Sequence, residues 1–439
     1  MVKIIHMADT HLGYRARRGV MNKWAIENYS KPFEQEIYDI FLKVMENISR
    51  TKDLDFVVHC GDIFHQPSVF SSYPPPEPAR MALIQGLQLF FANTDNQVPF
   101  IYIEGNHGVF RGYEYTPFES HINKENYPNL YYFKEKHLLD SIKSKNPLSL
   151  EFPDKKTRFY LFPLFEFNTF EGYKNAYDNW ITLQKPKKED DYINIAVAHG
   201  ASGGDIPETL HNKISSDDFG YNYVALGHEH GFRKVTRNHY YSGSLLPMNF
   251  KERYESQGYL IVNINSITKE LIVERRSTDI LLNRPFEIVS IEVPPKQSSA
   301  DLENSIYNEL KNRIIGEEFE PKTSARLKFN FEGEMTFEKN WQINELMSKI
   351  RREIFSQPDK FNVLQIIWKI SDISETIEDD ISTGLIQDYI LEKPDEEFKA
   401  FVEEKLSEDK SKYDINKLTD FGMKAIKKAL RIMEKEKEE

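Results

Sequence analysis

Five apolar runs in this chain each stop at residues that can hold a metal ion. VKIIHMA leads to Asp9 and His11, DFVVHC to Gly61 and Asp62, PFIYIEG to Asn106 and His107, YINIAVA to His199, and YVALG to His228 and His230. Besides His107 the set is two Asp, one Asn and four His, with no cysteine. Hard oxygens mixed with imidazole suit divalent Mn, Fe or Zn, and seven such groups exceed what one ion needs. Two ions sharing a carboxylate would use them all. A pair of ions about 3.5 to 4 Å apart is the usual arrangement for displacement at phosphorus. Taken singly, a DTH, a GD or a GNH is common by chance, and a lone His is more often a satisfied polar residue than a ligand. Taken in order, each at the end of a strand, they make a site.

The runs are continuously apolar and often β-branched, as in strands covered on both faces. Ligands of α/β sheets bind beyond the carboxyl ends of such strands, which lets the five ends converge. Between the first strands, Phe33, Ile37, Ile40, Phe41, Val44, Met45 and Ile48 predict a helix over 32–50, with Pro32 near its start, and a second helix covers about 77–93. Strand, helix and strand thus repeat before the GNH turn, as in crossover units of a mostly parallel sheet. After Leu226 the pattern becomes strand-and-turn, with HYYSGS and GYLIVNI expected to close a second sheet by about residue 276.

The ordered pattern D-x-H, G-D, G-N-H, H and G-H-x-H resembles the calcineurin-like metallophosphoesterases. Through ADTHLGYR (8–15), GDIFHQPS (61–68), IEGNH (103–107), ALGHEH (225–230) and YSGSL (241–245), the chain looks more narrowly like the nuclease subunit of the DNA double-strand-break repair complex. That subunit is SbcD in bacteria and the meiotic-recombination-eleven family elsewhere. The resemblance covers residues 1 to about 280, and the rest mainly by architecture. It implies an α/β fold: a metallophosphoesterase β-sandwich flanked by helices (1–280), a small two-layer α+β capping domain (281–372) and a helical C-terminal tail (373–439).

For the site, the resemblance implies a bridging Asp62, with Asp9, His11 and His230 on one ion and Asn106, His199 and His228 on the other. Mn²⁺ is the expected ion. His107 would stabilise developing charge or protonate the leaving oxygen as a DNA phosphodiester is attacked in line. The implied activity is endonuclease and 3′–5′ exonuclease, in a homodimer working with an SMC-like coiled-coil ATPase. One departure stands out: the residue after the GNH histidine is commonly an acid that can orient the imidazole, and here it is Gly108. Glu104 and Glu114 are near in sequence. Two rival readings are a phosphoesterase acting on a small phosphodiester or phosphoprotein, which needs neither cap nor tail, and a scaffold without chemistry, against which the intact ligand set argues.

Flanking residues carry weaker signals. Arg15, Arg17, Arg18, Lys23 and Lys31 against Glu27 form a basic loop beside His11, suited either to phosphate backbone or to solvent. Arg111 with Phe110, Tyr113, Tyr115 and Phe118 could stack on unpaired bases or pack on the cap. His65, three residues after Asp62, is a candidate for steering DNA. His59 belongs to its strand, and His6, His121, His137, His211 and His239 read as structural or surface residues.

RPFEIVSIEV, SARLKFNFE and FNVLQIIWKI read as strands alternating with helices over 299–315 and 338–356. Beyond them, Phe398, Phe401, Val402 and Leu406 form one helical stripe, and Leu418, Phe421, Ile426, Ala429, Leu430 and Met433 another. They follow an acidic stretch from Glu375 to Asp380, which favours docking in a partner's groove, the place where the resembling family clasps its ATPase.

Composition fits. At 439 residues and 40% hydrophobic the chain can bury more than one core. The net charge of −12 is concentrated in the tail: from Ser371 onward 20 acids face 12 bases, leaving 49 against 45 before it. An acidic total therefore does not exclude DNA, which needs only a local basic surface. Cys60 alone forms no internal disulfide and reads as a small core residue. No apolar stretch is long enough to span a bilayer and the amino terminus enters a strand at once, so a cytoplasmic or nuclear, non-secreted protein without membrane contact is expected.

Overall fold

A computed structural model of the chain describes residues 1–14, 31–65, 75–107, 126–163, 174–186, 191–200, 220–255, 257–278, 286–294, 298–310, 325–333, 335, 337–356 and 363–371. The chain divides into two compact units, Met1–Asp372 and Ile373–Glu439. The second unit, with both tail stripes, lies outside the described residues. So do Arg15, Arg17, Arg18 and Arg111.

The first sheet has the order β12-β11-β1-β2-β3-β4. Its strands are β1 (Val2–Met7), β2 (Phe56–Cys60), β3 (Phe100–Ile103), β4 (Leu130–Phe133), β11 (Gly258–Ile264) and β12 (Leu271–Ser277). β1 to β4 run parallel, with β11 antiparallel to β1 and β12 antiparallel to β11. The second sheet, β5-β6-β7-β8-β10-β9, contains β5 (Ser149–Phe152), β6 (Thr157–Phe162), β7 (Ile193–His199), β8 (Tyr223–Gly227), β9 (Arg233–Lys234) and β10 (His239–Tyr241). Here β6, β7, β8 and β10 are parallel, and β5 and β9 are antiparallel edges.

The five ligand-bearing runs are strands buried along their length, apart from Lys3 of β1. Alternation explains why they carry no polar face. Ile4, Val58, Ile101 and Ile103 point between the sheets and meet Phe159, Leu161, Ile195, Val197 and Tyr223. Their neighbours Ile5, Met7 and Val57 point the other way, toward helices α1 (Lys31–Ser49) and α2 (Glu77–Asn93). On the far face of the second sheet, Tyr160, Phe162, Ala196 and Val224 pack with Trp180 and Leu138 of helices α3 (Glu135–Ser144) and α4 (Lys174–Leu183). The result is helix, sheet, sheet, helix in four layers.

One expectation is corrected. GYLIVNI does not continue the second sheet: as β11 it crosses back and pairs with β1, Ile4 opposite Val262 and Ile5 opposite Ile261. Its apolar residues meet the same need on either sheet, and only long-range pairing distinguishes them.

A third sheet of β13 (Phe286–Glu292), β14 (Ala325–Glu332) and β15 (Val363–Ile370) is wholly parallel, alternating with helices α5 (Ser299–Leu310) and α6 (Phe337–Ser356). It has its own core around Phe329, Phe331, Ile306, Met347 and Ile350. It meets the sandwich through Arg326, which is fully buried and ion-paired with Glu36 of α1. The guanidinium carbon stands 4.3 Å from the Phe33 ring centre and 4.5 Å from that of Phe286. A buried charge that loses its partner is far costlier than an exposed one. Glu36→Ala should therefore cost about 3–5 kcal/mol in denaturant unfolding and raise amide exchange in β13 and β14. A loss below about 1 kcal/mol would mean that the pair does not hold the third sheet.

Candidate metal centre

All seven residues come together where the carboxyl ends of β1, β2, β3, β7 and β8 meet. The exits of β1 and β2 run side by side: Asp9 N–H donates to Gly61 O (3.1 Å), His11 N–H to Asp62 O (3.0 Å) and Leu12 N–H to Ile63 O (2.8 Å). Two side-chain bonds tie in the other exits. His107 N–H donates to Asp62 Oδ1 at 2.8 Å, and His228 N–H to Asp9 Oδ2 at 2.8 Å. Asp9 (φ 51°), His11 (46°), Asp62 (52°) and His228 (105°) all adopt positive φ, which non-glycine residues seldom do unless their surroundings impose it. Space is also reserved: a Cβ on Gly61, itself at φ +98°, would stand 2.2 Å from His199 Nδ1, and one on Gly227 1.9 Å from Cys60 O.

The donor atoms sort into two neighbourhoods. His11 Nε2 and His230 Nε2 face each other at 3.0 Å, and both rings group with Asp9. Asn106 Oδ1 lies 2.8 Å from His199 Nε2 and 3.1 Å from His228 Nδ1. Asp62 Oδ2 stands between, 3.4 Å from His199 Nε2 and 4.0 Å from His11 Nε2. Asp9, Asp62 and His199 make a further close group.

This donor set fits divalent cations. His199 Nδ1 donates to Cys60 O at 2.7 Å. The Nε2 of a neutral His199 is then a lone pair aimed at the oxygens of Asn106 and Asp62, acceptor against acceptor. A proton or a cation must relieve that. Asp9 Oδ1 is buried with no hydrogen-bond partner, and the nearest imidazole nitrogen recorded beside it, His199 Nδ1, is 4.0 Å away. Buried oxygens of that kind are rare unless something binds them.

Protonation follows the same crowding. Burial pushes the Asp9 carboxyl up against the pull of His199 and His230. Burial also pushes Asp62 up, but the imidazoles of His199, His11 and His107 prevail and hold it well below the usual carboxylate range. Burial lowers His199, yet the charge and hydrogen bond of Asp62 carry it to about 9. His230 likewise reaches about 9 against burial, chiefly through its hydrogen bond to Glu252. Burial leaves His228 at about 4 and His11 well below its ordinary value.

Other residues fall around this centre. His65 Nδ1 lies 3.1 Å from His11 Nδ1, and its ring stacks on His107 at 4.7 Å and meets the edge of Tyr14. His6 and His59 are buried in β1 and β2: His6 bonds Tyr223 OH and Leu226 O, and His59 meets Thr10 Oγ1. His239 is buried in β10, and His137 accepts the Lys134 N–H at the start of α3. His121, His211, Gly108 and Glu114 lie outside the described residues. Glu104 accepts a hydrogen bond from Tyr132 OH at 3.0 Å, and burial raises its carboxyl to about 8. The sequence offered no sign of Glu252, whose Oε1 lies 3.2 Å from His230 Nδ1. It belongs to no motif and stands 22 positions away along the chain.

With their surroundings carrying His199 and His230 to about 9, both imidazoles are protonated at pH 7 and would have to lose a proton to act as metal ligands. Metal binding at pH 7 should release at least about two protons, from His199 and His230 with a further part from Asp9, read by calorimetry in buffers of different ionisation enthalpy. These raised values also stabilise the metal-free fold fully below pH 6.5, and that contribution is lost as pH rises through 9. Metal-free melting should therefore fall from pH 6.5 to 9 while apparent metal affinity rises. Binding without proton release would contradict this assignment.

Among the described residues no helix is long and apolar enough to cross a membrane. Comparison with known proteins agrees with the geometry. Residues 2–232 match the profile of the calcineurin-like phosphoesterases. The chain is also 24% identical over 356 residues to an uncharacterized protein, R555, of Acanthamoeba polyphaga mimivirus; the match takes in 74% of this chain and 23% of that one. The chain thus spans less than a quarter of that curated relative's length. The family match runs from the first strand through all seven candidate ligands, and the chain belongs to the calcineurin-like phosphoesterases.

Proposed function

We propose that this metal-dependent phosphoesterase is a DNA nuclease, an endonuclease and 3′–5′ exonuclease of a double-strand-break repair complex. The observation that carries the reading is the convergence of Asp9, His11, Asp62, Asn106, His199, His228 and His230 on one partly buried cluster with His107 at its edge. The motifs around them, above all GDIFHQPS with His65 against His11 and His107, support DNA over a small phosphodiester. So does the third sheet fastened to α1, which hydrolysis of a small substrate would not need.

In this reading two Mn²⁺ ions would be held, one by Asp9, His11 and His230 and the other by Asn106, His199 and His228, with Asp62 shared by both. When bound, such ions would supply a nucleophile at neutral pH and neutralise charge on the phosphate. The protein does the positioning. Asp62 Oδ1 fixes the His107 backbone, which leaves the half-buried imidazole to protonate the leaving oxygen. His65 braces that ring from one face and could steer the incoming strand. Arg15, Arg17, Arg18 and Arg111 would grip phosphates, and the tail helices would dock on the coiled coil of an SMC-like ATPase, in a homodimer.

The test is cleavage of end-labelled hairpin and linear DNA in Mn²⁺. His107→Ser should retain metal and fold yet lose roughly 10²–10⁴-fold in turnover, the usual contribution of a proton donor. Asp62→Ala should bind metal weakly and lose activity by several orders of magnitude. Wild-type hydrolysis of small phosphodiesters with DNA left intact would defeat the nuclease reading. Unchanged turnover in His107→Ser would remove this histidine from the chemistry.

A further inference from the structure

We propose that Glu252 is a positioning residue of the metal centre, the carboxylate that sets which nitrogen of His230 faces the cation. The inference rests on reading His230 as a ligand and goes beyond it by naming what aims the ring.

A neutral imidazole carries one hydrogen, and a ligand nitrogen must be the other one. His230 Nε2 faces His11 Nε2 at 3.0 Å, so if both rings bind one cation through these nitrogens the remaining hydrogen of His230 sits on Nδ1. Glu252 Oε1 lies 3.2 Å from that Nδ1, and an ionised carboxylate can only accept. The pair therefore selects the Nδ1–H form and leaves the Nε2 lone pair for metal. The His230 backbone is anchored separately, its carbonyl accepting Ser244 N–H at 2.9 Å, and the ring is held at its two nitrogens, Nε2 against His11 and Nδ1 against Glu252.

Glu252 is itself fixed, as an orienting group must be. It opens a short 3₁₀ turn, Glu252–Tyr254. Its Oε2 accepts the Met248 N–H at 2.7 Å, its Oε1 also accepts from Asn249 Nδ2, and its carbonyl accepts from Gln257 Nε2 at 3.0 Å. The side chain is only 12% exposed. A cavity of about 570 Å³ beside His228 and His230 is lined by three acids, and their roles differ. Glu229 pairs with Arg233, Glu255 packs over Gly231, and Glu252 reaches the imidazole.

Two of the other candidate rings are held differently. His199 Nδ1 uses the Cys60 carbonyl and His11 Nδ1 meets His65. A carboxylate partner makes an imidazole more basic than a carbonyl does, and outer partners of this kind typically contribute 10–100-fold to metal affinity. Glu252 would therefore strengthen the site formed with His11 and Asp9 more than its neighbour.

The experiment is Mn²⁺ titration of the full chain, followed by electron paramagnetic resonance and calorimetry, with metal-free melting as the folding control. Glu252→Ala should weaken one of two ions by about 10–100-fold and leave the other within about threefold. Glu252→Gln keeps an acceptor oxygen without the charge and should fall between, and it decides the matter if the alanine variant does not fold. His230→Ala separates the two levels of inference. If it loses one ion while both Glu252 variants bind within about threefold of wild type, the role of Glu252 is refuted and the metal centre stands. If His230→Ala leaves both ions bound, the ligand assignment fails, and this proposal with it.

Discussion

The carboxylate of Asp62 closes the site. It is buried between two sheets, with its backbone at φ 52°. Its Oδ1 takes the His107 N–H, its Oδ2 faces His199 and His11, and its carbonyl takes the His11 N–H. Through one residue the exits of β1, β2, β3 and β7 are held to one another. In the metal-free chain its charge is met by the imidazoles around it, above all by the protonated His199, whose Nε2 also faces the Asn106 oxygen. The folded chain thus brings carboxylates, an amide oxygen and imidazoles into close contact that protons on His199 and His230 relieve in the metal-free state, and a divalent cation would take the place of those protons.

Holding acceptors together is unfavourable, and the sandwich opposes it. Four of the candidate ligands, none of them glycine, sit at positive φ, each a cost of order 1–3 kcal/mol by itself. Strain of that size persists only where the surroundings over-determine the backbone. Here the five strands leading to the site are buried on both faces, and their exits are stitched by backbone hydrogen bonds from Asp9 to Gly61 and from Leu12 to Ile63. Gly61 and Gly227 allow the His199 ring and the Cys60 carbonyl closer than any side chain would. Donors are therefore placed by the least deformable part of the molecule, as a centre requiring fixed donor separations demands.

The candidate ligands were legible as a group because the chemistry of strand ends is local: an apolar run followed by Asp, Asn or His can be read without knowing which strands are neighbours. The helices over 32–50 and 77–93 were legible for the same reason, and the structure has them at 31–49 and 77–93. What was not legible depends on contacts far apart in sequence. GYLIVNI reads as a good strand anywhere, and only its register against Val2–His6 places it in the first sheet. Glu252 lies in MNFKER, a stretch with no chemical signature, and becomes meaningful only because a turn carries it to His230. Arg326 reads as one more alternating strand residue until Glu36, Phe33 and Phe286 are found around it.

The same local logic settles how a chain of net charge −12 can act on a phosphate ester. What the substrate meets is the potential of the pocket. There the residues are arranged so that negative charge is used inwardly: Asp62 is surrounded by imidazoles, Asp9 is raised toward its neutral form by burial, and Glu252 spends its charge on His230. Once divalent cations are held, their charge exceeds that of the two ligand carboxylates, and the sign of the site is set by the ions. The acidic excess lies mostly after Ser371, in sequence beyond all seven candidate ligands. Net charge and local charge are thus separate properties of this chain, and only the second bears on the chemistry.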